Sequence, residues 1–139
     1  MDERSFVHEV AIRVKCDERR AESLIFAVFR ELRDRLTPKE ASDVAAQLPV
    51  PLKRLWLSFE RPDRQVRRVH LREFVGEVRT MAALPDDAEA ERAIRAVFKV
   101  LQKSLGSSSG VSGEAWDVMS QLPKDLKQLW LAAAEEEPS

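Results

Sequence analysis

Tyrosine is absent from this chain of 139 residues, cysteine occurs once, histidine twice and glycine four times. Each shortage excludes something. A lone Cys16 allows no internal disulfide, and nothing in the cysteine usage points to an oxidising compartment. His8 and His70 lack the spaced Cys, His or carboxylate companions that a metal site needs. They also lack a neighbour that would orient a general base, so both read as partly exposed helical residues. No apolar run approaches the ~20 residues of a bilayer-spanning helix. The opening Met1-Asp2-Glu3-Arg4 is not the basic-then-apolar pattern of a secretory leader. The expectation is a cytoplasmic protein with no membrane contact.

What the chain does have is nearly the same text twice. Phe6-Val7-His8-Glu9-Val10 returns as Phe74-Val75-Gly76-Glu77-Val78. Ala21-Glu22, Ile25, Ala27-Val28-Phe29, Leu32 and Leu36 return as Ala90-Glu91, Ile94, Ala96-Val97-Phe98, Leu101 and Leu105. Glu40-Ala41, Asp43-Val44, Gln47-Leu48-Pro49, Leu52-Lys53 and Leu55-Trp56-Leu57 return as Glu114-Ala115, Asp117-Val118, Gln121-Leu122-Pro123, Leu126-Lys127 and Leu129-Trp130-Leu131. One insertion, Gly106 to Gly113, interrupts the second copy. A period of roughly 70 residues is too long for a solenoid or propeller and indicates a duplicated unit.

Apolar residues recur at the helical period through both copies. Phe6, Val7, Val10, Ala11 and Val14 make one stripe, and Ala21, Leu24, Ile25, Val28 and Leu32 a second. Asp17 and Asp86 are placed to cap helices, the latter with Glu89 in a capping-box spacing. Thr37-Pro38-Lys39-Glu40 starts a third helix, which must stop near Gln47-Leu48 because a residue before proline is pushed out of the α region. Pro49 or Pro51 opens a fourth, with Leu52, Leu55, Trp56 and Phe59 on one face. The second copy repeats the series over 74–84, 86–105, 112–122 and 124–134. The expected fold is therefore all-α: two tandem four-helix repeats, about eight helices, packed as one compact unit. Its parts are a first repeat over 1–60, a basic linker over 61–69, a second repeat over 70–134 and an acidic disordered tail over 135–139.

Net charge is −1, yet residues 1–72 carry sixteen Lys/Arg against twelve Asp/Glu and residues 73–139 seven against twelve. The halves thus stand at +4 and −5, which favours docking of one on the other or of one copy of the chain on another.

Several candidates for chemistry lose to simpler readings. Cys16 sits near a helix start, yet a single cysteine in a helix–helix turn is more often a packing residue. Glu9 with Glu77, and Glu22 with Glu91, suggest a carboxylate cluster, but the Glu-x-x-His pairs of di-metal bundles are missing. Glu22 and Glu91 fit equally well as first-turn acids favoured by the helix dipole. The basic run Lys53, Arg54, Arg61, Arg64, Arg67, Arg68 and Arg72 offers a possible interaction surface, above all Arg61, Arg64, Arg67, Arg68 and Arg72. It lacks a recognition-helix signature or interleaved stacking aromatics, so nucleic-acid binding is possible but not favoured. The repeated Gln-Leu-Pro-x-x-Leu-Lys-x-Leu-Trp-Leu reads as helix stop, helix start and aromatic anchor, with Gln47, Pro49, Trp56, Gln121, Pro123 and Trp130 as structural anchors.

The tandem Phe-Val-x-x-Val, the Ala-Glu-rich helix with Val-Phe and Leu, and Gln-Leu-Pro-x-x-Leu together resemble the bacterial family catalogued as domain of unknown function 2267. Val111-Ser112-Gly113-Glu114-Ala115-Trp116-Asp117-Val118 ahead of Gln121-Leu122-Pro123 is especially similar. The first copy departs mildly, having Thr37-Pro38-Lys39 where the second has its Ser-Gly loop. The resemblance covers nearly the whole chain except the tail and implies an all-α duplicated fold, with no established activity, cofactor or catalytic residue. Together these features lead to the expectation of a non-catalytic protein-interaction or scaffold module, monomeric or weakly self-associating. It would have an unknown protein partner and no cofactor. Nucleic-acid binding, and an enzyme or ligand carrier with a pocket between the repeats, are the alternatives.

Overall fold

In the computed structural model, which describes residues 1–58, 60–61, 63–67, 70–107 and 109–136, the helix starts lie where capping chemistry puts them. Asp2 Oδ1 accepts from Ser5 N at 2.8 Å and opens α1 (Glu3–Val14). Asp17 does the same for α2 (Glu18–Asp34), at 2.7 Å from Arg20 N. Thr37 Oγ1 serves α3 (Pro38–Ala46), at 3.2 Å from Glu40 N. Pro49 stands at the cap of α4 (Val50–Leu57) and His70 at that of α5 (Leu71–Met81). Asp86, bonded to Glu89 N at 2.8 Å, opens α6 (Asp87–Ser104). Ser112 precedes α7 (Gly113–Ser120) and Pro123 precedes α8 (Lys124–Ala134). Among the described residues there are eight helices and no strand. Phe59, Arg68 and residues 137–139, named above, lie outside the described residues, as does the linker's end at Val69.

Two helix ends match across the repeat. Lys15 (φ 63°) and, sixty-eight residues on, Ala83 (φ 53°) both take the left-handed conformation. Cys16 N then bonds Ala11 O at 3.0 Å and Leu84 N bonds Arg79 O at 2.9 Å, which satisfies carbonyls that the helix ends leave open.

The long helices α2 and α6 pack on each other at the centre. α1 lies against both of them, and so does α5, so the first-half α1 also covers α6 and the second-half α5 also covers α2. α4 backs α2, α8 backs α6, and α3 meets α7. The apolar stripes of both halves merge into one core. Within it Phe29 stands edge-on between Phe6 (centroids 5.7 Å apart) and Trp56 (5.2 Å). Phe98 likewise joins Phe74 (5.9 Å) to Trp130 (5.1 Å). Both tryptophans are fully buried. Trp56 Nε1 donates to Ala41 O at 2.8 Å within α3, whereas Trp130 Nε1 donates to Gly110 O at 2.7 Å in the inserted loop. The tryptophan carbonyls are matched as well: Arg33 Nη1 donates to Trp56 O at 3.0 Å and Gln102 Nε2 to Trp130 O at 3.0 Å.

Candidate functional site

Where α2 meets α5, four charged side chains converge. Arg35 is buried, its Nη1 donating to Glu31 O (2.8 Å) and Glu31 Oε1 (2.9 Å), while its guanidinium lies 4.7 Å above the centre of the Phe74 ring. Its Nη2 is 3.6 Å from Glu77 Oε2. Arg67, brought in from the segment before α5 by a bond from its N–H to Asp34 O (2.9 Å), grips Glu77 with both Nη atoms at 3.0 and 2.6 Å. Glu31, Arg67 and Glu77, but not Arg35, border a groove of about 590 Å³ whose walls also include Arg30, Asp34 and Glu73.

The carboxyls of this cluster behave oppositely. Burial, reinforced by the neighbouring Glu77, raises Glu31 from the ordinary 4.5 to about 7 against the pull of Arg35. Burial pushes Glu77 up too, but its hydrogen bonds with Glu31 and Arg67 and the nearby guanidinium charges hold it down at about 2. At neutral pH the site therefore holds one firmly ionised carboxylate and one that exchanges a proton.

The residues singled out in the sequence are placed as follows. Arg64 is mostly buried and forms a forked pair with Glu60, with Nη2 also donating to Arg33 O at 2.9 Å. Arg61, Arg72, Lys53 and Arg54 are exposed, and Arg68 lies outside the described residues. Glu9 and Glu77 stand on separate seams: Glu9 takes Lys103 Nζ of α6 at 2.7 Å and Arg13 Nε at 3.0 Å. Glu22 is exposed, and Glu91 pairs with Arg95 at 2.9 Å. Exposed His8 has Nδ1 3.3 Å from Glu18 Oε1, and exposed His70 has Nδ1 3.5 Å from Asp125 Oδ2. Cys16 is half-buried, and burial followed by the charge of Asp17 raises its thiol above the usual value. Pro49 and Pro123 stand at the N-cap positions of α4 and α8 without a side-chain capping bond. Gln121 Oε1 accepts from Thr37 N at 2.9 Å, and Gln47 Nε2 donates to Glu114 Oε1 at 2.9 Å, so both glutamines reach across to the opposite half.

That last bond leads to a cluster the candidate residues did not include. Glu40, Asp43 and Glu114 bring one carboxylate oxygen each to within 4.8 Å of one another across the α3–α7 contact. Burial, then the adjacent Glu114 carboxyl and the charges of Asp117 and Asp43, raise Glu40 from 4.5 to about 8. The signal was present in the repeat itself, since Glu40 and Asp43 return as Glu114 and Asp117.

No helix among the described residues is long and apolar enough to cross a membrane. No curated protein matches the chain. The family described as "Uncharacterized conserved protein (DUF2267)" matches residues 3–129, nearly the full length, and the chain belongs to that family.

Proposed function

We propose that the protein is a non-catalytic interaction module that engages a protein partner through the face of α7. The observation that carries this is Trp116. Phe6, Phe29, Phe74, Phe98, Trp56 and Trp130 are all at 0% exposure, whereas Trp116 on the first turns of α7 is 51% exposed. Val111, just ahead of that helix, is exposed as well. The first copy has Ser42 at the position equivalent to Trp116, so the framework does not demand an indole there. Exposed tryptophan in a protein with few aromatics suits an anchor for a partner's pocket. Asp117 and Glu114 beside it favour a partner whose rim is basic.

Capture from native-host lysate by the wild-type chain and by Trp116→Ser tests the reading. The expected result is a defined protein held by the wild type and lost with the variant, while both chains melt at the same temperature. Equal capture by both, or none by either, overturns it.

The groove beside Glu77 favours a second reading, a carrier of a small polar ligand, because a proton-exchanging carboxyl lies there with Arg30 and Arg67 on the same wall. Nucleic-acid binding through the basic segment has less support, since Arg64 turns inward to Glu60 and the exposed Arg67 is paired with Glu77. Titration of labelled DNA and RNA at two salt concentrations decides it, and binding at low salt that weakens with added salt would restore it.

A further inference from the structure

We propose that Glu40, Asp43 and Glu114 form a binding site for one hard divalent cation of calcium's size, clamped between α3 and α7. The inference does not depend on the partner proposed for Trp116.

Three features carry it. The first is geometry: the three carboxylate oxygens lie within 4.8 Å of one another. Oxygens this close lie within reach of one ion, and calcium, which accepts irregular geometry at about 2.3–2.6 Å, suits donors drawn from two separate helices better than magnesium, which demands a near-ideal octahedron. The second is the state of the buried oxygens. Glu40 is only 7% exposed, yet its Oε2 has no hydrogen-bond partner, and the buried Oε2 of Glu114 has none either. Native interiors rarely leave such acceptors unmatched, and the Glu40 and Glu114 carboxyls adjoin closely enough to share a proton, whose place a cation can take. The third is the charge around them. Asp117 adds a further negative charge. Lys39 Nζ reaches Asp43 Oδ2 at 3.3 Å, but from a side chain that is almost wholly solvated.

The local chain holds the donors in position. Thr37 caps α3 and fixes Glu40 in the first turn, where backbone amides favour a carboxylate. Gln47 Nε2 binds Glu114 Oε1, which leaves Oε2 as the oxygen available to the cluster. The donor set is oxygen alone, the preference of calcium, magnesium and manganese and not of zinc or copper. A bound ion would displace the proton held on Glu40 and tie α3 of the first half to α7 of the second.

The test is calorimetric titration of the chelator-stripped full chain with Ca²⁺, Mg²⁺ and Mn²⁺ at pH 8, together with melting in each ion. One Ca²⁺ per chain should bind, raise the melting temperature and bind more tightly than Mg²⁺. Glu40→Gln and Glu114→Gln should each weaken Ca²⁺ binding at least tenfold, while Glu22→Gln, on an exposed surface, should leave it unchanged. Glu40→Gln keeps the shape of the protonated side chain, so it should stay folded, which circular dichroism checks directly. No response to any of the three ions at millimolar concentration, or wild-type binding by Glu40→Gln, overturns the site. Mg²⁺ bound as tightly as Ca²⁺ overturns the size assignment.

Discussion

Replacing Glu31 by Gln tests how the α2–α5 seam is held. The carboxyl is buried, with a folded pKa of about 7 against an ordinary 4.5. Because the folded state holds the proton more tightly, this group stabilises the fold most below pH 4.5. The stabilisation is lost as pH rises through 7. A rise from 4.5 to about 7 sets a ceiling of about 3 kcal/mol. Glu31 and Glu77 interact directly, so the part carried by Glu31 alone lies between about 1 and 3 kcal/mol. The attraction of Arg35 already acts on Glu31 within that balance, and a Gln carbonyl still accepts from Arg35 Nη1. Glu31→Gln should therefore match the wild type at pH 5 and exceed it at pH 8.5. At roughly 3–4 °C per kcal/mol for a chain of this length, the gap at pH 8.5 is about 3–12 °C in melting temperature. Thermal melts of both chains at the two pH values measure it. A constant difference across pH, or a variant that is the less stable at pH 8.5, refutes the reasoning.

Three further outcomes follow from the packing. Trp56→Ala and Trp130→Ala should each lower stability by about 3–5 kcal/mol in urea unfolding, since each removes a fully buried indole and its Nε1 hydrogen bond. Ala83→Gly should raise stability by about 0.5–1 kcal/mol, because a left-handed residue (φ 53°) loses its Cβ clash there. Gly110→Ala should lower it by about 1–3 kcal/mol: with φ at +77° its Cβ would stand 3.1 Å from both Ala134 Cβ and Gln102 Cδ.

Local chemistry was readable from the sequence to the extent that it is local. Asp17, Thr37 and Asp86 cap because a short acceptor side chain precedes a helical stripe, and each does so within three residues of its partner. The stripes of α2 and α6 named the buried faces, down to Phe29 and Phe98. Periodicity gives the face that is covered and not what covers it, so the lie of α1 on α6 and of α5 on α2 was out of reach. The basic run shows the same limit. Composition marks Arg64 and Arg67 as surface charge, and only the fold brings Glu60 and Glu77 to them. Glu40 and Glu114 are seventy-four residues apart and each reads locally as an ordinary first-turn acid. Their meeting depends on α3 facing α7. Arg33 gave no signal at all, since nothing along the chain marks a buried arginine that bonds a tryptophan carbonyl.

The central claim is that the two halves complete each other's core, because α1 and α5 each cover the long helix of the other half. Circular dichroism and urea unfolding of residues 1–69 alone test it most directly. The account predicts weak helicity and no cooperative transition for this fragment, with both restored when residues 70–139 are added. A fragment that unfolds cooperatively by itself, at a midpoint near that of the whole chain, would contradict it.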